Sequence, residues 1–230
     1  MEFFVGTSGW AYPWNEKRSL DWFVANSDLN AVELNASFYR FPSPSAVKSW
    51  AKKGASLRWS VKANRTVTHL ARFSEKAWEW WTKFHELFLP LDGLVDFYLF
   101  QLPPSTTPQS APLIEAFAEK TRLRRRFALE FRNQQWFSSE WTRWASDLGV
   151  TLVSVDSPEL PRDIFNTDGS VYVRMHGRTA WYSHHYSQEE LQEVAAKILK
   201  AKPEEAYVFF NNDEAMLENA RTMLHNLARQ

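Results

Sequence analysis

The chain has 230 residues, no cysteine, and 27 Lys and Arg against 27 Asp and Glu, so its formal net charge is zero. These figures argue against a protein that coats nucleic acid or an anionic membrane, and they exclude disulfides, thiolate metal sites and cysteine nucleophiles. No apolar run approaches the roughly 20 residues that cross a bilayer, and the N-terminal residues lack the pattern of a secretory signal. We therefore expect a soluble cytoplasmic protein with a single domain over residues 1–230.

Short runs of β-branched and aromatic residues, bounded by turn residues, predict eight strands. In chain order they are residues 3–8, 30–35, 57–64, 97–102, 127–132, 150–156, 170–176 and 206–211. Apolar stripes at helical spacing predict helices between most of them, including residues 74–90 and 187–200. The second of these helices begins with a capping box formed by Ser187 and Glu190. The connection over residues 157–167 is Pro-rich and poorly periodic, so we expect its helix to be short or missing.

Eight strands alternating with helices in 230 residues predict a single compact (β/α)8 TIM barrel, an α/β fold. No Gly-rich phosphate turn points to an open, doubly wound sheet. In the second strand Val32 and Leu34 lie on one face, whereas Glu33 and Asn35 lie on the other. The third, fifth and seventh strands repeat this pattern, and their polar side chains come near the carboxyl end. Because all carboxyl ends meet at one end of a barrel, we expect a polar mouth there.

Short motifs from the first strand to the last resemble those of one known family. They are GTSGWAY at residues 6–12, VELNASFY at 32–39, SVKA at 60–63 with TH at 68–69, QLPPS at 101–105, LEFR at 129–132 with WF at 136–137, YVRMHGR at 172–178 and FNN at 210–212. By these motifs the chain is identified as a member of the domain of unknown function 72 (YecE-like) family. The resemblance implies a TIM barrel but no particular reaction. The chain departs from the family pattern after Tyr12 and after Asn212, in two loops above the mouth.

The strand ends and nearby loops predict which side chains line the mouth. We assign catalytic roles to Glu130, Glu33, His176 and Lys62, and substrate-binding roles to Arg132, Arg174, Asn35, Gln101, Asp156, Asn211, His69, Trp10, Tyr39 and Trp136. In particular, we expect Gln101, Asp156 and Asn211 to end their strands on the inward-facing side. So many ionisable groups in one place are costly to bury unless they pair or serve a ligand. An ion-pair network that only closes the barrel is the structural alternative.

Several reactions fit parts of this set. Glu33 and Glu130 could cleave a glycoside, but neutral sugars do not require three cations. Glu33, Glu130, Asp156 and His176 could ligate a metal in a hydrolase or phosphodiesterase, but the interleaved Lys and Arg would repel it. Imine formation by Lys62 needs a lowered pKa, and the neighbouring carboxylates are expected to raise that pKa instead.

The favoured hypothesis is an enzyme that uses acid–base chemistry, of the hydrolase, lyase or isomerase type, on a small phosphate- or carboxylate-bearing molecule. Arg132 and Arg174 would grip the anion, Glu130 or Glu33 would move the proton, and His176 would be the proton partner. We expect no cofactor, no bound metal, no membrane or nucleic-acid partner, and a monomer or homodimer. A non-catalytic barrel that binds a metabolite or nucleic acid remains the alternative.

Overall fold

The computed structural model describes residues 1–228. Within them, eight strands form one closed barrel in chain order, and every neighbouring pair, including the closing pair of the last and first strands, is parallel. The strands are β1 (Glu2–Thr7), β2 (Ala31–Leu34), β3 (Arg58–Lys62), β4 (Val95–Gln101), β5 (Phe127–Glu130), β6 (Thr151–Asp156), β7 (Ser170–Met175) and β8 (Glu205–Phe210). The predicted TIM barrel is confirmed.

In the same residues, seven α-helices surround the barrel. They are α1 (Leu20–Asn26), α2 (Pro44–Lys53), α3 (Glu75–Phe88), α4 (Ala111–Thr121), α5 (Ser139–Leu148), α6 (Gln188–Lys200) and α7 (Met216–Ala228). The capping box predicted at the start of α6 is present, because Ser187 and Glu190 each accept a hydrogen bond from the backbone N–H of the other. In residues 1–228 no helix has both the length and the apolar character needed to cross a membrane.

The connection between β6 and β7 contains no α-helix in residues 157–169, which confirms the prediction of a short or missing helix there. Hydrogen bonds to β6 and its leading residue hold this connection in place instead. The Phe165 N–H donates to Ser154 Oγ over 2.8 Å, and Thr167 Oγ1 donates to the Val150 carbonyl over 2.8 Å. An irregular segment therefore covers part of the outer face of β6.

Side-chain alternation divides the apolar residues into two layers. The interior of the barrel is filled by Ala31, Phe97, Leu99, Ala128, Val153, Val155, Tyr172, Tyr207 and Phe209. The opposite faces of the strands pack under the helices in a larger outer layer. Gly6 keeps β1 close to β2, because a Cβ at this position would lie 2.2 Å from the Ala31 carbonyl oxygen. The interior layer closes the barrel below the mouth, so the polar strand ends lie directly above packed apolar side chains.

Candidate active site

A group of four charged side chains, Glu33, Glu130, Arg132 and Arg174, forms the polar floor of the mouth. Arg174 lies at its centre and is fully buried. Its Nη2 donates to Glu33 Oε1 over 2.7 Å, its Nε donates to Glu33 Oε2 over 2.9 Å, and its Nη1 donates to Glu130 Oε2 over 2.5 Å. These three side chains come together because β2, β5 and β7 each direct one of them inward near the carboxyl end of the strand. All three nitrogens of the guanidinium are therefore occupied by the protein itself.

Glu33 is also fully buried and accepts two hydroxyl hydrogen bonds in addition to those from Arg174. Ser8 Oγ donates over 2.8 Å, and Tyr172 OH donates over 2.5 Å. Tyr172 OH in turn lies 2.7 Å from Ser60 Oγ. These contacts surround the carboxylate and hold it beneath the mouth rather than in it.

Three ion pairs, Arg132 with Glu130 and Arg174 with both Glu33 and Glu130, fix the charges of this floor. Burial alone would raise the pKa of Glu130, but the guanidinium groups of Arg132 and Arg174 lower it to about 2. Burial alone would lower the pKa of Arg174, but Glu130 and Glu33 hold it well above its usual value. Two carboxylates therefore face two guanidinium groups, and the floor carries no net charge.

His176 is fully buried beside both arginines. Its Nε2 lies 3.1 Å from Arg132 Nη2 and 3.3 Å from Arg174 Nη1. Burial, then the charges of Arg132, Arg174 and Lys62, lower the pKa of His176 well below its usual value, so the ring is neutral at physiological pH. The other ring nitrogen, Nδ1, lies 3.3 Å from the side-chain amide nitrogen of Asn211.

Arg132 connects the floor to the mouth. Its Nε donates to Glu130 and its Nη2 faces His176, whereas Nη1 has no hydrogen-bond partner in the part of the chain that the structure describes. The indole ring of Trp181 lies over the guanidinium, with Cζ 4.6 Å from the ring centroid. Trp181 also packs against His176, at 5.4 Å between ring centroids. Arg132 thus keeps one free donor group under a partly exposed aromatic side chain.

Lys62 occupies the end of β3 and is only 8% exposed. Its Nζ donates to the half-buried Gln101 and lies 4.2 Å from the centre of the Phe38 ring. Within residues 1–228 its ammonium group forms no ion pair. Burial, and then the charge of Arg174, lower the pKa of Lys62 to about 7 against the opposing effect of Glu130 and Glu33. The nearby carboxylates do raise this pKa, as expected, but burial and the charge of Arg174 outweigh them, so the expected net increase does not occur.

His69 and Lys62 contact the same aromatic ring. The imidazole of His69 packs edge-on against Phe38 at 5.1 Å, and its Nδ1 lies 2.8 Å from Thr68 Oγ1. Burial, followed by the charges of Lys62, Arg65 and Arg132, lowers the pKa of His69 to about 4. The residues around it, Thr66–Leu70, form one π-helical turn, a rare conformation that occurs often at functional sites. Asn35, which the sequence also predicts for the mouth, lies 3.4 Å from Arg174 Nη2.

The predicted inward orientation of Asp156 is wrong. Val155 pairs in register with the inward-facing Arg174, so the next residue, Asp156, faces outward beside Met175. There Asp156 accepts hydrogen bonds from Arg178 Nη2 over 3.0 Å and from Tyr186 OH over 2.9 Å. It belongs to the contacts between β6 and the loop before α6, not to the group around Arg174.

Two predicted aromatic ligands also lie outside the mouth. Trp136 is 1% exposed, stacks on the outward-facing Phe131 at 4.6 Å, and donates through Nε1 to the Thr106 carbonyl. Trp10 packs edge-on against Trp59, which is fully buried in the outer layer. Both assignments are therefore wrong, since each indole packs against aromatic rings of the layer beneath the helices.

The third aromatic ligand, Tyr39, remains at the rim. It is 72% exposed and packs edge-on against Phe38, the ring that contacts Lys62. The inward-facing polar residues that the structure brings together are Glu33, Asn35, Lys62, Gln101, Glu130, Arg132, Arg174, His176 and Asn211.

Three residues of the site, Tyr172, Ser8 and Phe38, were not predicted from the sequence, whereas Trp181 was expected near the mouth. Tyr172 lies two residues before Arg174 on the same face of β7, so strand alternation was the signal that could have identified it. Phe38 ends a short 3-10 helix after β2, where strand alternation no longer tells which way a side chain points.

A separate cavity of about 470 Å³ lies between the loops that follow β7 and β8. His184, His185, Asp213, Glu214 and Glu218 are among its lining residues, and none of the floor residues lines it. Three carboxylates oppose the binding of an anion at this place. The described residues contain no group of three or more His, Asp or Glu arranged to hold a metal ion.

A family model described as "Protein of unknown function DUF72" matches residues 4–230. The chain belongs to this family. A DUF72 family protein from Thermotoga maritima MSB8 is 27% identical, with a TM-score of 0.84 over 99% of this chain and 100% of that chain. A DUF72 family protein from Enterococcus faecalis V583 is 21% identical, with a TM-score of 0.84 over 99% of this chain and 98% of that chain.

More distant structures share the barrel alone. D-psicose 3-epimerase from Clostridium cellulolyticum H10 is 12% identical, with a TM-score of 0.60 over 100% of this chain and 99% of that chain. None of the curated proteins matches the sequence. The family and the fold are therefore established by these similarities, and the chemistry has to be inferred from the site itself.

Proposed function

We propose that this protein is an enzyme that performs acid–base chemistry on a small anionic substrate, bearing a phosphate or carboxylate, at the mouth of its barrel. One observation carries the proposal. In the described part of the chain, the ammonium group of Lys62 is almost fully buried and has no ion-pair partner. Buried charges are normally paired, so an unpaired one at the carboxyl end of a TIM barrel favours a ligand of opposite charge.

The charges of the site support an anion rather than a neutral or cationic ligand. Glu33 and Glu130 are balanced by Arg174 and Arg132, which leaves the protonated Lys62 as the surplus charge. The free Nη1 of Arg132 supplies a second donor. A guanidinium and an ammonium together match the oxygens of a phosphate or carboxylate.

The roles of the predicted catalytic residues follow from their charges. Lys62 is the proton-transfer group, because its pKa of about 7 allows it to take and release a proton at physiological pH. Glu130, with a pKa of about 2, is a poor base and instead orients Arg132 and Arg174. Arg174 and Glu33 are positioning residues beneath the mouth, since neither is exposed.

Gln101, Asn35, Asn211, His69 and Tyr39 are the half-buried or exposed groups that would contact the rest of the substrate. The alternative of a metal-dependent hydrolase or phosphodiesterase is less favoured. The oxygen atoms of Glu33 and Glu130 already accept hydrogen bonds from arginine, and a divalent cation would have to displace those contacts.

The test compares the wild type with Lys62→Met and with Lys83→Met. Lys83 is a matched control, because its Nζ also lies near an aromatic ring, 5.5 Å from that of Trp80, but on the exposed face of α3. Each protein is incubated in deuterated buffer with a panel of phosphorylated and carboxylated metabolites, whose masses are followed over time. Binding of the same compounds is measured by calorimetry.

The proposal expects a compound that is converted, or gains deuterium, with the wild type and Lys83→Met but not with Lys62→Met. Binding that depends on Lys62 without any change in the compound would identify a binding protein instead of an enzyme. Conversion only after addition of a divalent metal would favour the hydrolase. Absence of binding across the panel would contradict the anion site itself.

A further inference from the structure

We propose that the ε-amino group of Lys62 is a nucleophile that forms an imine with an aldehyde or ketone that also carries a phosphate or carboxylate. This inference rests on the proposed function, because the anionic group of the substrate would occupy the mouth beside Arg132. It adds a covalent role for Lys62 and narrows the substrate class to carbonyl compounds.

The surroundings of the amine are the first support. Nζ lies against the Phe38 ring at 4.2 Å and donates to Gln101, a neutral acceptor. A carboxylate in contact with a lysine stabilises the ammonium form, which is not nucleophilic. Here the two nearby carboxylates, Glu33 and Glu130, accept hydrogen bonds from arginine instead. The geometry therefore leaves the amine free to lose its proton.

The charge state agrees with this geometry. Burial, and then the positive charge of Arg174, lower the pKa of Lys62 to about 7. At pH 7 an exposed lysine with its ordinary pKa has on the order of a thousandfold less neutral amine than such a group. A desolvated lysine beside another cation is a known arrangement for an amine that attacks carbonyl carbon.

The step balances without any oxidant or reductant. The nitrogen lone pair of Lys62 attacks the carbonyl carbon, so that a C–N bond forms and the carbonyl π bond breaks. One proton moves from nitrogen to oxygen to give a carbinolamine, and a second accompanies the departing hydroxyl group as water when the C=N bond forms.

The experiment traps the imine by reduction. The protein is incubated with pyruvate, dihydroxyacetone phosphate or pyridoxal 5′-phosphate in the presence of sodium cyanoborohydride, and modified peptides are identified by mass spectrometry. We expect an adduct on Lys62 that forms faster than adducts on exposed lysines and that decreases when inorganic phosphate is added. The Lys83→Met control should retain it, and Lys62→Arg should lose it.

Lys62→Arg also separates this inference from the proposed function, because arginine keeps the positive charge but forms no imine of this kind. Calorimetry with inorganic phosphate measures anion binding alone, in the wild type, Lys62→Arg and Lys62→Met. If phosphate binds through residue 62 but no probe modifies Lys62, the imine is overturned and the anion site stands. If phosphate does not bind and Lys62 is not modified, both proposals fail. Adducts on exposed lysines alone would likewise overturn the imine.

Discussion

Arg174 and Glu33 form a bidentate ion pair in the barrel interior, with Nη2 2.7 Å from Oε1 and Nε 2.9 Å from Oε2. Neither side chain is exposed. Glu130 lies on the other side of the same guanidinium, and Arg132 balances its charge. The floor of the mouth is therefore neutral only while all four side chains are present, and loss of any one leaves an uncompensated charge in a poorly solvated place.

Removal of Arg174 is expected to be strongly destabilising. Arg174→Met leaves the buried carboxylates of Glu33 and Glu130 with too little positive charge, so we expect a loss of about 3–5 kcal/mol in the free energy of unfolding. Urea titration monitored by tryptophan fluorescence measures it. The control is Lys53→Met, which removes a surface ion pair with Asp21 and should change stability by less than about 0.5 kcal/mol. Equal losses in the two variants would contradict the neutral floor.

Removal of Lys62 is expected to have the opposite effect. Lys62→Met replaces a buried ammonium that lacks an ion pair, so we expect the free energy of unfolding to increase by about 1–2 kcal/mol at pH 7. The gain should shrink as pH rises from 7 toward 10. In that window the unfolded wild type binds a proton that the native lysine has released, so wild-type stability increases with pH. Urea midpoints across this range give the difference, and a gain that grows with pH would refute the lowered pKa.

Acid is expected to destabilise the protein in two stages. Between about pH 6.5 and 4 the unfolded chain protonates His69 and His176 while the folded chain does not, because burial lowers the pKa of His69 to about 4 and that of His176 well below its usual value. Below that range, protonation of Glu130 in the unfolded chain removes further stability, since its folded pKa is about 2. The unfolded state binds more protons than the folded state in both pH ranges, so the free energy of unfolding decreases as the pH is lowered.

His69→Gln, which can still bond to Thr68, tests the first stage. Between about pH 6.5 and 4 we expect the free energy of unfolding to depend less steeply on pH, by a slope that corresponds to up to about one proton. At lower pH the slope should be unchanged. The measurement is the urea midpoint against pH. His225→Gln, on the exposed side of α7, is the control. An identical slope in His69→Gln and the wild type would show that His69 is not the responsible group.

The contact between β1 and β2 predicts a further pair of variants. In Gly6→Ala the new Cβ would lie 2.2 Å from the Ala31 carbonyl oxygen, so the strands must separate, and we expect a loss of about 1–3 kcal/mol or more. Gly93→Ala adds a Cβ with no neighbour within 4 Å and should be nearly neutral. Thermal and urea unfolding compare the two variants. Tolerance of Gly6→Ala would mean that the strands are not held at this distance.

The fold could be predicted from local patterns because each strand carries its own evidence. Strand alternation at Glu33 and Asn35, or at Arg174 and His176, is visible in the chain and repeats at every strand that contributes to the mouth. Asp156 shows the limit of this approach. It is a polar residue at the end of its strand, as Gln101 is, yet Val155 occupies the inward position, and only pairing with β7 decides between the two faces.

Sequence by itself therefore determined the family, the (β/α)8 barrel, the missing helix before β7, and most of the polar residues at the mouth. Tertiary structure alone decided which of these residues pair with one another. Lys62 is an example. The sequence does not tell whether Glu33 and Glu130 form ion pairs with Lys62 or with Arg174, and in the structure they pair with Arg174. The interaction energy of charges depends on distances between strands far apart in the chain and on burial from water. Those quantities exist only once the barrel has closed, and they set the charge state on which the chemistry of Lys62 depends.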